Sequence, residues 1–289
     1  MSWFLKPVEE SADMIFMVAN YMFHPSTAAS VAKAYGNKHY KILSSWANYL
    51  YNNCLYPTNQ LTTDDFIGQT QLNSGLALKG ILGLKAFANI ASVVGNSNET
   101  TFYNNASASY IQTWLKESQS SDSSHLKFEY NVTDGYELKY NAFQDKLLNL
   151  NTVPSSVYTE EANYYLTKED AYGIPFVSTH GYTKTGTVFR EWITCFHRYW
   201  LDIQLDLDWE MWTAAAFGEA NPTLRRNIVN DLSKYLQNTP SRVPFSDWYD
   251  TTTSASQGFQ ARPVAGGHFA VLALNTPATT PKKPKKSNN

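Results

Sequence analysis

Three acidic groupings stand where they could do proton chemistry: Glu9-Glu10, Asp64-Asp65 and the pair Asp208 and Glu210 flanking Trp209. Adjacent carboxylates repel, which raises one pKa, so that one member can serve as acid while the other stays ionised as base. At the third grouping an apolar wall, Trp209, meets the acids. Each grouping also has a structural use, as an N-cap or as charge complementing a helix N-terminus. His180 and His268 suit polarising a carbonyl or binding a carboxylate, and equally a satisfied structural role. Arg262, followed by Pro263, has the fork to clamp a carboxylate, although a buried ion pair with Asp247 would explain it just as well.

Other chemistries find little support. The histidines fall at 24, 39, 125, 180, 197 and 268, none in a metal-binding spacing, and no cofactor motif is present. Of the two cysteines, Cys54 falls near the end of a predicted helix and Cys195 in an atypical segment, so a Cys/His nucleophile is not expected. Ser11, Thr62 and Thr63 sit beside acidic pairs without a Gly-x-Ser-x-Gly elbow. Lys+Arg 23 against Asp+Glu 25 gives a formal charge of −2, which offers no basic field for nucleic acid. No apolar run reads as a membrane span. Hydrophobic residues at 43% with charged ones at 17% predict a packed globular chain.

Helices must position these groups. Residues 71–94 are apolar nearly all round, which predicts a buried helix, whereas 40–51 and 224–236 carry one apolar stripe. Strand-like alternation is scarce, so the fold class is all-α. Buried inner helices are predicted to start near Glu10, Gln71, Glu137, Asp208 and Gly267. Amphipathic outer helices are predicted over about Lys38–Asn53, Thr100–Ser118, Ser155–Lys168 and Thr223–Gln237. A polar, often acidic loop precedes each inner helix, at intervals of about 55 to 74 residues. That recurrence predicts stacked helical hairpins whose inner helices run in one direction and gather the loops at one end.

At those loops the sequence resembles the six-helical-hairpin domain of the fungal glutaminase A family. The resemblance rests on Pro7-Val8-Glu9-Glu10-Ser11, Gln60 to Phe66 (QLTTDDF), Asn73 to Gly83 (NSGLALKGILG) and Tyr140 to Leu148 (YNAFQDKLL). It continues through Tyr172-Gly173-Ile174-Pro175, Tyr182-Thr183-Lys184, Asp208 to Ala215 (DWEMWTAA), Pro244 to Tyr249 (PFSDWY), Arg262-Pro263-Val264 and Gly266-Gly267-His268-Phe269. It implies an (α/α)6-type toroid, here with about five inner and four outer helices. It also implies hydrolysis of L-glutamine to L-glutamate and ammonia without a cofactor, usually outside the cell. Acid–base work is then expected of Glu9, Glu10, Asp64, Asp65, Asp208 and Glu210, and substrate binding of His180, Trp209, Arg262 and His268. Two other readings compete: a glycoside hydrolase, since toroids with acidic pairs and aromatic clefts suit sugars, and an inactive fragment.

The domain is expected to span 7–275, after an unrelated start (1–6) and before a disordered basic tail (276–289). Met1–Lys6 leads straight into Pro7, unlike a secretion signal, whereas the sequons at Asn98, Asn105 and Asn131 suggest the secretory pathway. The family begins upstream of Pro7, so an incomplete ring with exposed apolar faces is expected, along with missing N-terminal domains. Residues 186–207 interrupt the family pattern and read as a retained intron or a loop over the cleft.

Overall fold

Local signals start and stop the helices of this computed structural model, which describes residues 6–62, 68–133, 135–178, 204–242 and 245–274. Pro7 opens α1 (Pro7–Phe23) with Glu9 and Glu10 in the first turn, where acids complement the helix dipole. Helix α2 (Ala29–Asn53) runs back to Cys54. Asn73 caps α3 (Ser74–Val94) by accepting the Leu76 N–H at 2.6 Å. Gly95, at φ 96, ends α3 in the left-handed conformation and turns the chain into α4 (Ser97–Ser118), capped by Asn96. After α6 (Ser155–Leu166) and α7 (Leu207–Phe217), Asn221 caps α8 (Pro222–Asn238), accepting from Thr223 and Leu224.

The direction of the inner helices can be read from close approaches at glycine. A Cβ on Gly80 would lie 2.2 Å from Cys54 Cβ and 3.3 Å from Val8 Cγ1, and one on Gly83 would lie 2.7 Å from Leu50 Cδ1 and 3.3 Å from Ala12 Cβ. At the far end a Cβ on Gly36 would meet Val94 and Met22. Along α3 its neighbours therefore rise through α1 and fall through α2: α1 and α3 are parallel and α2 is antiparallel to both. Helix α3 then packs on α4 and on the 3₁₀ turn Tyr140–Ala142, which leads into α5 (Phe143–Leu147). Helix α7 packs on these, on the 3₁₀ stretch Pro263–Phe269 and on α9 (Ala270–Leu274). The described residues thus form an arc of five inner segments (α1, α3, 140–147, α7, 263–274) backed by four outer helices (α2, α4, α6, α8).

Some expectations need correction. The third inner segment starts at Tyr140 instead of near Glu137, because Glu137 bridges Val177 in extended conformation and Leu138 N–H donates to Phe176 O at 2.8 Å. Strands are more prominent than alternation suggested. A hairpin joins β1 (Thr58–Leu61) to β2 (Gln69–Gln71), and a sheet has the order β3 (Gln204–Asp206), β4 (Ser246–Asp250), β5 (Ser256–Gln260), antiparallel throughout. Strand β4 is buried or half-buried at every position, so it carries no period-two pattern to read. The last residues of the 186–207 interruption form β3, paired to β4 from Gln204↔Asp250 to Asp206↔Trp248. Helix α3 is, by length and composition, apolar enough to cross a membrane, contrary to the expectation of no such run. Its burial among α1, α2 and α4 makes it the core helix instead, with Leu76, Ile81, Leu84, Phe87 and Ile90 fully enclosed.

Candidate functional site

Helices α1 and α3 run parallel and bring their leading ends to one pole, where a strip of side chains runs on to the Tyr140 turn and the first turns of α7. Glu9 and Asp13 lie one turn apart on α1 and face the same side. Between them sits Lys79 of α3, whose Nζ is 2.5 Å from Glu9 Oε1 and 3.0 Å from Asp13 Oδ1. Burial alone would depress the Lys79 ammonium, but Glu9 and Asp13 outweigh it and hold the pKa above the ordinary value. The Asp13 carboxyl is raised, by burial first, with Lys79 opposing and Glu9 adding to the rise. The Glu9 side chain is 5% exposed and Lys79 7%, whereas Asp13 is 44% exposed and is the member a solute can reach.

Tyr140 continues the strip. Its ring centroid lies 5.9 Å from Lys79 Nζ, and the ring stacks on Trp209 at 4.0 Å and on Trp212 at 5.5 Å. Phe176 closes edge-on against Trp209 at 5.5 Å. A buried cation, two carboxylates and an aromatic wall are thereby assembled from α1, α3, the Tyr140 turn and α7. Hairpin β1–β2 is tied to the same pole: Gln60 Oε1 accepts the Val8 N–H of the first turn of α1 at 3.0 Å.

The expected residues are distributed unevenly over this geometry. Glu9 and Trp209 belong to the strip, at its two ends. Glu10 follows Glu9 but is exposed. Glu210 follows Trp209 and so points to another side of α7, where it is 3% exposed and accepts the Ile174 N–H at 3.1 Å. Burial pushes its carboxyl well above the ordinary range, and there Glu210 pins the backbone at Ile174. Arg262 Nη1 donates to Asp247 Oδ2 at 2.7 Å, but the arginine side chain is 47% exposed, so the pair is half open where a buried one was the competing expectation. His268 lies in the 3₁₀ stretch with Nδ1 2.7 Å from Ala265 O. Asp64, Asp65 and His180 lie outside the described residues, and of Asp208 only the backbone position, in the first turn of α7, is described.

Lys79 and Asp13 escaped the sequence reading. Lys79 sits inside the apolar run 71–94, where helical periodicity assigns a lone cation no partner. The available signal was the four-residue spacing of Glu9 and Asp13 on a helix parallel to α3. A second buried network was missed because its members are scattered in sequence. Glu137 accepts from Gly75 N–H (2.8 Å), Asn73 Nδ2 (3.0 Å) and Lys139 Nζ (3.2 Å), placing a carboxylate at the leading end of α3. A Cβ on Gly75 would lie 2.3 Å from Glu137 Oε1, so the glycine makes room for the carboxylate. Glu129 accepts the Gln71 N–H at 2.9 Å, and Glu161 accepts the Leu126 N–H at 2.6 Å. Burial raises both carboxyls to about 7. These groups are buried and bonded to backbone, so they are scaffold beneath the pole.

Cys54 is buried at the end of α2 and its thiol is pushed upward by burial, which removes it as a nucleophile. Among the described residues no group of three or more His, Cys, Asp or Glu side chains could hold a metal ion.

Comparison with known proteins agrees with this architecture. The family model described as the glutaminase A six helical-hairpin domain matches residues 5–198 and 203–272. Glutaminase A of Aspergillus oryzae is 34% identical over 275 residues, covering 93% of this chain and 35% of that protein. A probable glutaminase of Arthroderma benhamiae is 30% identical over 277 residues, covering 86% and 29%. The chain thus spans about a third of the length of these curated relatives. The crystal structure of an uncharacterised conserved protein from Thermus thermophilus matches 94% of this chain and 77% of that one, with a TM-score of 0.52 and 12% identity, a likeness of fold alone.

Proposed function

The chain belongs to the glutaminase A family through its six helical-hairpin domain, and on that footing we propose that it serves the carboxylate-assisted hydrolysis of L-glutamine to L-glutamate and ammonia. Water adds to the carboxamide carbon, the C–N bond breaks, and the nitrogen leaves with an added proton. The reaction asks for a base to take a proton from water and an acid to give one to the leaving nitrogen. The observation that carries the reading is Lys79 held between Glu9 and Asp13, with only Asp13 open to solution. Because burial raises the Asp13 carboxyl, it holds a proton at a higher pH than a free aspartate and is suited to passing it to the nitrogen. Asp64 and Asp65 follow Gln60, which is bonded to the first turn of α1, and Asp208 precedes Trp209. They remain proposed partners in the same proton traffic.

Ammonia release from glutamine by the purified chain tests the activity, with aryl glycosides as a control substrate class. Asp13→Asn should lower kcat by about 10²-fold or more while leaving KM within a few-fold. No ammonia from well-folded protein would sink the hydrolysis reading; an unimpaired Asp13→Asn variant would sink the role given to Asp13. We also propose an extracellular location, supported by the exposure of the sequon residues Asn98, Asn105 and Asn131. A mass loss on endoglycosidase treatment of protein from its native source checks it, and unmodified peptides at all three positions would count against it.

A further inference from the structure

Lys79 carries its charge into an enclosed seam, and the packing of that seam leaves the side chain little choice of position. Gly80 lies against Val8, and Gly83, one turn beyond Lys79 on α3, lies against Ala12. Lys79 therefore stands level with the turn of α1 that runs from Glu9 to Asp13. Its ammonium is 2.5 Å from Glu9 Oε1 and 3.0 Å from Asp13 Oδ1, with the Tyr140 ring centroid 5.9 Å away. Exposure runs in one sense along the three: Asp13 is open, while Lys79 and Glu9 are enclosed.

Their chemistry separates their roles. An ammonium has three N–H donors and no acceptor, and the two carboxylates keep Lys79 charged, so it takes no proton from water and holds its own. Glu9 is bonded to that ammonium inside the seam. A substrate reaching Glu9 would have to part the pair, and losing one partner of a buried ion pair costs about 3–5 kcal/mol. Asp13 alone combines a bond to the cation with an open face. Among the described residues the charges that act on it are Lys79 of α3 and Glu9 and Glu10 of its own helix, while hairpin β1–β2 brings the neutral Gln60 to the first turn of α1. The cation favours the Asp13 carboxylate and the glutamates disfavour it.

We propose that Lys79 and Glu9 are positioning residues for Asp13: the ammonium holds the Asp13 side chain at the open end of the triad, and Glu9 anchors the ammonium from the enclosed end without exchanging protons with the substrate. Glu9 thereby leaves the acid–base role expected of it and acts through its neighbours. The use of Asp13 as an acid rests on the hydrolysis reading above; the coupling among the three side chains does not.

A pH titration of the Asp13 carboxyl carbon by NMR tests the coupling directly, on the 289-residue chain labelled at aspartate, with Asp13→Asn identifying the resonance. Glu9→Gln keeps the shape and removes a repelling charge, leaving Lys79 to favour the carboxylate, so the Asp13 midpoint should fall by about one pH unit. Lys79→Met is made in the Glu9→Gln background, because alone it would strand a buried carboxylate. The double variant loses the larger influence of the cation together with the smaller one of Glu9, so its midpoint should rise above the parent's. In ammonia release the alkaline limb of kcat/KM should follow, down in the single variant and up in the double one, because Asp13 must hold a proton to give it. A purely structural pair would change the melting temperature without moving this midpoint in opposite directions. Coincident Asp13 midpoints in the parent and Glu9→Gln would overturn the proposal whether or not the double variant folds, and so would a double variant titrating below the parent. Opposed midpoint shifts without ammonia release would leave the triad standing and remove the hydrolysis reading. Ammonia release with coincident midpoints would do the reverse.

Discussion

Glu161 accepts hydrogen bonds from Leu126 N–H and from the Tyr165 hydroxyl at 2.7 Å, and the Lys139 cation also favours its ionised form, yet burial prevails and lifts its carboxyl to about 7. The consequence for stability has a definite sign. In the unfolded chain a glutamate titrates near its ordinary value, so between that value and about 7 the folded state binds the extra proton. The stability linked to Glu161 is then fully present below the unfolded pKa and is lost as pH rises through about 7. For a shift of this size the loss is about 3 kcal/mol. Glu161→Gln should therefore unfold at similar urea concentrations to the parent at pH 5 and at higher ones at pH 8. Parallel pH profiles for the two proteins would show that Glu161 is ionised in the folded state. The contrast with Asp13, also raised by burial but reachable from solution, separates a scaffold acid from one placed to exchange protons with a substrate.

At the scale of elements, the seam between α1, α2 and α3 depends on glycines that let three backbones approach. Gly80→Ala should gain up to about 1 kcal/mol of helix propensity. Its new methyl would however sit 2.2 Å from Cys54 Cβ, an atom fixed to the backbone at the end of α2. Overpacking of this kind costs about 1–3 kcal/mol, so a net loss of stability is expected, and a raised melting temperature in Gly80→Ala would show that α2 yields easily. The helices themselves were legible in sequence because capping and periodicity agree: Asn73, Asn96 and Asn221 cap, and the apolar spacing of α3 and α8 matches what is buried. The Arg262–Asp247 pair was legible as a possibility from charge alone. The third inner segment was misplaced because Glu137, rich in charge before a helix, is used instead to cap α3 from a bridge sixty-odd residues downstream in sequence. Strand β4 left no alternating signal, and the pairing of Lys79 with Glu9 and Asp13 exists only once α1 and α3 lie parallel. Long-range partnership, in each case, is what periodicity cannot encode.

For the molecule as a whole, the arc has two ends, and each carries large apolar side chains in water. On α1, Met14 (38% exposed), Met17 (58%) and Tyr21 (46%) follow a helical stripe, continuing from Glu10. At the other end Phe259 (70%), Phe269 (65%) and Leu272 (63%) are open. Among the described residues α1 shares no extensive packed seam with α9, so neither stripe covers the other. Single exposed apolar residues are ordinary, but a helix face of this kind marks a surface that gains free energy by association. The two ends are different surfaces, so pairing one with the other is heterologous and does not close by itself into a dimer. The isolated chain should accordingly form a ladder of species, its sedimentation-derived mass rising with concentration from the 32.6 kDa of one copy, without a plateau at two. Because the ladder requires both ends, a charge at either should stop it: Met17→Glu or Leu272→Glu alone is expected to return the chain to a single copy, whereas a concentration-independent monomer in the parent protein would show that the exposed stripes are too small to associate.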